Sequence, residues 1–243
     1  MIITSQHNEK LKQIRKLARR RERDARGRFV AEGEDLVAAA TAAGWEPLSL
    51  LAAADSGLAG EEVEARLLDG VSSLRSGTRT IGVYEERWAR PAGPLCMALW
   101  GVGDPGNVGA ILRSARAFGA ASAVLGPGCA DPFCPKAVRA SMGAIFEVPV
   151  ARIESIDELP GERVALVAGS GEVLAGPAGG ELTLIVGAER EGLPAELVAA
   201  ADRVAHIEIA SESLNAAMAA TVGLYELTRG HGAAWMTPGG CRT

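Results

Sequence analysis

Six apolar runs from Pro94 onward, PLCMALW, ASAVLG, FEVPVA, VALVAG, LTLIVG and VAHIEIA, alternate with stretches of helical spacing such as NVGAILRSARAFG, PKAVRASMG and SLNAAMAATVGLYELTRG. Strands that are apolar throughout are buried on both faces, and strands separated by helices pair in parallel. Residues 95–243 are therefore predicted to form an α/β domain, a mostly parallel sheet with helices on both faces. Ahead of it, Asn8 to Arg26 carries Leu11, Ile14, Leu17 and Ala18 at helical spacing with Lys and Arg elsewhere, which predicts one helix ended by Gly27. RFVAEG reads as a strand, EDLVAAATAAG as a helix, PLSLLAAAD as a strand, GEEVEARLLDG as a helix and RTIGVYEE as a strand. These make a small α/β domain over residues 1–88. WARPAGP loses periodicity and holds two prolines, so residues 89–94 read as a linker.

With 243 residues, 48% of them hydrophobic, the chain can bury a core without disulfides or metal. It holds no apolar run of bilayer length, and MIITSQHNEKLKQIRK places charges where a signal peptide needs apolar residues. A soluble, cytoplasmic protein with no membrane partner is expected. Cys96, Cys129, Cys134 and Cys241 are unevenly spaced and read as free thiols; no metal site is expected from them or from the scattered His7, His206 and His231. The net charge of −5 is unevenly distributed. Ten Lys/Arg against three Asp/Glu give residues 1–30 a charge of +7, leaving −12 for the rest. That basic end is either a polyanion contact or a solvated helix face.

Gly101-Val-Gly103-Asp-Pro-Gly106 has the spacing of a dinucleotide-binding turn. Two features oppose that reading: ASAVLG ends without an acidic side chain for a ribose diol, and Pro105 stiffens a turn that should wrap a pyrophosphate. The same segment offers Asn107 and, six residues on, Arg113. On a regular helix these lie about 120° apart, so they share a cleft only if Asn107 precedes the first turn. Arg113 is otherwise an ordinary solvated helix residue. Two further clusters lie at strand ends, Gly187 to Gly192 in LIVGAEREGLP and Ser213 to Asn215 in IEIASESLNAAMAAT. Three such edges in one parallel sheet point to one composite site.

In this order the clusters resemble the SpoU/TrmH family of RNA ribose 2′-O-methyltransferases, of the SPOUT superfamily. Asn107, Arg113, Ser114, Ala115, Phe118 and Gly119 meet its first motif, Gly187, Glu189, Gly192 and Leu193 its second, and Ser213, Leu214 and Asn215 its third. The chain departs where many relatives carry Asn-Glu-Gly, having Ala188-Glu189-Arg190, and where they carry Pro before the third motif, having Glu208. Thr4-Ser5, Asn8, Lys10-Leu11, Lys16-Leu17, Phe29 and Glu32-Gly33 resemble the RNA substrate-binding domain found ahead of many members' catalytic domains.

The resemblance implies a trefoil-knotted C-terminal domain and a homodimer with active sites at its interface. It also implies S-adenosylmethionine held by Gly187, Ile207 and Leu214 beside Ala168 and Gly169, although Ile207 and Leu214 alone would read as core. Ribosomal RNA is the implied substrate ahead of transfer RNA, with Lys10, Lys12, Arg15, Lys16, Arg19 and Arg20 as phosphate contacts. A non-catalytic RNA-binding protein of the same fold is the alternative. Of the implied catalytic residues, Arg113 takes the hydroxyl proton or anchors a phosphate or the ribose, and a guanidinium acts as a base only if its environment strips its charge. Asn107 orients Arg113 or the ribose, Glu189 holds the loop or a cation, and Ser213 and Asn215 position the hydroxyl and the helix start. The stripe Leu214, Ala217, Met218, Thr221, Leu224 and Tyr225 on the last helix suits either the dimer interface or the core.

Overall fold

In the computed structural model, which describes residues 2–74 and 77–230, the basic N-terminal stretch is two helices and not the single one its spacing predicts. α1 (Glu9–Leu17) is capped by Asn8, whose side chain accepts from the Lys10 backbone N–H at 2.9 Å, and it buries Leu11, Ile14 and Leu17. The backbone is extended at Arg19 (φ −95°, ψ 133°) before α2 (Arg20–Arg26), which ends at Gly27. Arg23 supplies the reason. This side chain is 3% exposed; its Nη1 donates to the Leu17 carbonyl at 2.8 Å, while Nε and Nη2 donate to Asp131 Oδ2 at 2.8 and 2.6 Å. An unbroken helix would commit that carbonyl to its own ladder, and a buried guanidinium needs every partner it can reach.

β1 (Arg28–Glu32), α3 (Glu34–Ala42), β2 (Ser49–Ala53), β3 (Glu61–Val63), α4 (Ala65–Asp69) and β4 (Thr80–Glu85) follow. GEEVEARLLDG is thus a strand and a short helix, where a single helix was expected. Parallel pairing of Glu61–Val63 with Leu51–Ala53 and a bridge from Ile3 to Val63 outweigh its helical propensity. The sheet order is β1-β4-β2-β3, with β4 antiparallel to both neighbours. Period-two alternation sorts its side chains. Val30, Leu51, Ile81 and Val83 pack with Leu11, Ile14 and Leu17 of α1. Phe29 and Tyr84 instead join Trp45, Phe133 and Phe146 in an aromatic cluster with ring centroids 4.9–6.0 Å apart. Phe133 and Phe146 come from Asp131–Glu147, a segment far along the chain that belongs to this unit by its contacts; Trp88–Ala130 and the chain from Val148 form the other unit.

That second unit contains β5 (Leu95–Leu99), α5 (Pro105–Ala117), β6 (Ser122–Leu125), β7 (Val150–Arg152), β8 (Glu162–Leu166), β9 (Glu172–Val173), β10 (Leu182–Val186), α7 (Ala195–Ala200), β11 (Arg203–His206) and α8 (Ala216–Thr228); α6 (Pro135–Ala140) lies in the segment that joins the first. The seven strands run β7-β6-β5-β10-β8-β11-β9 and every pair is parallel, as the continuous apolar runs predict. Three runs are strands for half their length or less. VALVAG contributes one only through Leu166. FEVPVA contributes a strand only from Val150, and VAHIEIA leaves the sheet after His206, where its neighbour β9 is two residues long. Cys96, Ala98, Val124, Ile185 and Leu197 share a buried cluster. α8 packs on β10, and Gly223 makes that approach possible, because a Cβ there would sit 2.7 Å from Leu184 Cδ2. Ser114 Oγ and Thr221 Oγ1, 2.6 Å apart, join α5 to α8. Among the described residues no helix is long and apolar enough to cross a membrane.

Candidate active site

β5, β8, β10 and β11 are parallel, so the segments leaving their carboxyl ends emerge along one edge of the sheet. All three clusters picked out by the sequence lie there. Asp104 caps α5, accepting from the Gly106 N–H at 2.5 Å, and Pro105 occupies the first helical turn. Asn107 is consequently inside the helix and not in the loop or cap before it. Six helical steps then put Arg113 on a different side of α5, exposed, and no hydrogen bond among the described residues joins it to Asn107.

Asn107 is instead linked to the other two clusters. Asn215 caps α8, its Oδ1 accepting from Ala217 N at 2.9 Å and Met218 N at 3.4 Å. That fixes the amide orientation, so Asn215 Nδ2 donates to Asn107 Oδ1 at 3.2 Å. Asn107 Nδ2 in turn donates to Glu189 Oε1. The chain Asn215→Asn107→Glu189 ties two helix starts to the loop after β10. Ser114 and Thr221 fasten the same two helices further along, a positioning role that the sequence reading did not assign to Thr221.

The loop after β10 is a tight reversal. Ala188 and Gly192 exchange backbone hydrogen bonds at 3.2 and 3.0 Å, and a Cβ on Gly187 would lie 2.3 Å from the Gly192 carbonyl carbon. Position 187 thus needs glycine because its own loop folds back on it. Beside the loop is a cavity of about 290 Å³, with Val186, Ile207 and Leu214 among its apolar lining and Glu189, Arg190 and Glu191 its charged part. Of the residues expected to hold a cofactor, Gly187, Ala168, Ile207 and Leu214 line it; Gly169, the next residue after Ala168, is outside the lining, as are Asn107 and Arg113. Ser213 lines it and is exposed. Val167, Ile209 and Arg190 also line it and were not assigned to cofactor binding from the sequence.

The Gly101–Gly106 turn is built against a pyrophosphate. Gly101 N–H is taken by the Pro127 carbonyl at 3.0 Å, and the Asp104 carboxylate occupies the helix start where an anion would sit. Cys96, Cys129 and Cys134 are unpaired, and burial pushes the Cys96 and Cys129 thiols up, which favours the neutral SH. No cluster among the described residues could hold a metal ion. His231, Trp235 and Cys241 lie outside the described residues.

On the N-terminal helices, Lys10 pairs with Glu61 and Lys12 with Glu9 at 2.7 Å, Arg15 donates to the Gln6 carbonyl at 2.9 Å, and Arg20 lies 3.6 Å from Asp24. Lys16 and Arg19 are exposed. Exposed pairs of this kind contribute about 0–1 kcal/mol, so a polyanion displaces them at little cost.

The SpoU rRNA Methylase family model matches residues 94–225, and the MRM3-like substrate binding domain model matches residues 8–89. The 23S rRNA (guanosine(2553)-2′-O)-methyltransferase RlmP of Bacillus subtilis is 30% identical over 93% of this chain and 98% of its own. The AdoMet-bound rRNA methyltransferase of Sinorhizobium meliloti superposes with a TM-score of 0.84 at 31% identity, covering 94% of this chain and 97% of that one. The SpoU methyltransferase AviRb of Streptomyces viridochromogenes, in complex with AdoMet, has a TM-score of 0.82 at 26% identity, covering 93% and 98%.

Proposed function

The chain belongs to the SpoU rRNA methylase family, and from that premise we propose that it transfers a methyl group from S-adenosylmethionine to a ribose 2′-hydroxyl of ribosomal RNA. The observation that carries the reading is the Asn215→Asn107→Glu189 chain, which fixes the three motif segments along one sheet edge, two of them lining the cavity. The cavity fits the cofactor in kind: Val186, Ile207 and Leu214 offer apolar contact to a purine, and Gly187 and Ala168 add backbone groups. When bound, the cofactor supplies a sulfonium-linked methyl group open to in-line displacement by an oxygen. Glu189, held by Asn107, keeps the loop at the cavity mouth in one position. Ser213 stands at that mouth with a hydroxyl able to accept from or donate to a ribose hydroxyl.

Arg113, exposed and outside the cavity lining, has a role only if a second copy presents it to this site. A homodimer gives it that place, and Met218, Val222 and Tyr225, which are 62%, 39% and 56% exposed on α8, offer the apolar face for it. There Arg113 anchors the ribose or its phosphate, or takes the hydroxyl proton. The N-terminal unit, with the substrate-binding model over it, binds the RNA through Lys10, Lys12, Arg15, Lys16, Arg19 and Arg20. Methyl transfer from labelled S-adenosylmethionine to total RNA of cells lacking this protein, followed by ribose-methylation mapping, tests the reading. One labelled ribose in ribosomal RNA is expected; label in transfer RNA corrects the substrate, and RNA binding without label identifies a non-catalytic binder. Light scattering at micromolar concentration should give a dimer mass.

A further inference from the structure

Arg190 is the cation lining the cavity, at the exposed tip of the Gly187–Gly192 loop between two carboxylates, Glu189 and Glu191. Glu189 is engaged by Asn107, whereas no ion pair among the described residues engages Arg190 or Glu191. Resting on the methyltransferase reading above, we infer that Arg190 and Glu191 form the subsite for the amino-acid end of S-adenosylmethionine, Arg190 holding its carboxylate and Glu191 its ammonium.

Three observations converge. The cavity, at about 290 Å³, sits at the small end of ligand pockets, so with the purine against Val186, Ile207 and Leu214 the far end of the molecule lies at the mouth. That far end carries an anion and a cation on one carbon, and adjacent residues of opposite charge match such a pair where a single charge would not. A guanidinium also presents a planar fork suited to a carboxylate. The competing occupant, an RNA phosphate, meets the wrong field: Glu189-Arg190-Glu191 sums to −1, and exposed Glu208 and Glu212 lie on the segment between β11 and α8.

Calorimetric titration of the full chain with S-adenosylmethionine and with 5′-methylthioadenosine, which lacks the amino-acid group, separates the outcomes. Arg190→Ala should raise the Kd for S-adenosylmethionine about tenfold, and Glu191→Gln about threefold, while methylthioadenosine binding stays within twofold of wild type. Arg190→Lys should recover part of the loss. Equal weakening of both ligands would mean that the loop has collapsed, and an unchanged Kd with a raised KM for RNA would assign Arg190 to a phosphate; either result overturns the subsite. If the wild-type chain binds neither ligand, the methyltransferase reading itself fails.

Discussion

Two polar networks organise the molecule, and they differ in what surrounds them. Arg23 and Asp131 are 3% and 7% exposed, and the pair is closed by a backbone carbonyl from α1 and by the Phe133 N–H, which Asp131 Oδ1 accepts at 2.8 Å. Asn215, Asn107 and Glu189 form an open chain at the sheet edge, with Glu189 and Asn215 exposed. Burial makes a polar network a condition of folding, because an orphaned charge has no water to turn to; exposure leaves it free to serve binding, because each member retains solvent as an alternative. Breaking the first should cost stability, and breaking the second should cost function.

The largest effect is expected at Arg23. Arg23→Ala leaves the Asp131 carboxylate buried without its partner and should lower unfolding stability by about 3–5 kcal/mol, read from the denaturant midpoint at unchanged slope. Replacing both members, Arg23→Met with Asp131→Leu, should recover part of that loss, since an apolar pair removes the orphaned charge while the buried Leu17 carbonyl still loses the Arg23 donor. If the double variant is as unstable as the single one, burial of the charge is the wrong explanation.

Gly187→Ala should come next and bridge the two regimes. The added Cβ would lie 2.3 Å from the Gly192 carbonyl carbon and 2.6 Å from Leu193 N, so the loop must open. We expect a stability loss of about 1–3 kcal/mol together with at least a tenfold weaker binding of S-adenosylmethionine by calorimetry. Retained affinity at reduced stability would separate the loop from the cofactor site.

Asn107→Ala tests the open network directly. Its side chain is half-buried and caps nothing, so stability should fall by no more than about 1 kcal/mol, while methyl transfer should fall more than tenfold because the loop carrying Glu189 loses its anchor. Asn107→Ala and Glu189→Ala should be strongly non-additive in turnover, each removing the same link. Asn215→Ala should add about 1 kcal/mol of stability loss, since it also removes the α8 cap. Additive losses in turnover would mean that Asn107 and Glu189 act separately.

The parallel sheet was legible because β5 is apolar along its whole length and β10 at every position but Thr183, and the composite site because its three clusters fall at strand ends. The helix break at Arg19 was not legible: Arg23 sits among basic residues and differs only in having Asp131, 108 residues away, as its partner. The same distance hid the place of Asp131–Glu147, whose Phe133 and Phe146 complete an aromatic cluster begun by Phe29. The start of α5 is written in Asp104-Pro105, a cap followed by a first-turn proline, and that pair places Asn107 inside the helix. Thr221 looked like one member of a small-residue stripe; only the packing of α5 on α8 shows it bonded to Ser114.

The smallest effect should be Tyr84→Phe, and its sign is the informative part. Tyr84 lies wholly inside the first unit, its hydroxyl has no hydrogen-bond partner among the described residues, and burial pushes the phenol up to about 12. The ring stays in the aromatic cluster after the substitution, while a buried group that made no hydrogen bond is removed, so stability at neutral pH should be unchanged or higher by about 1 kcal/mol. In the wild-type chain the folded phenol holds its proton more tightly than the unfolded one, whose pKa is about 10. That contribution is complete below pH of about 10 and is lost as the pH rises through about 12, because only the unfolded state then gives up the proton readily. Comparing alkaline unfolding of the two proteins should show a steeper fall for wild type in that window. Parallel curves would mean that Tyr84 ionises as easily folded as unfolded, and that even this enclosed hydroxyl has access to water.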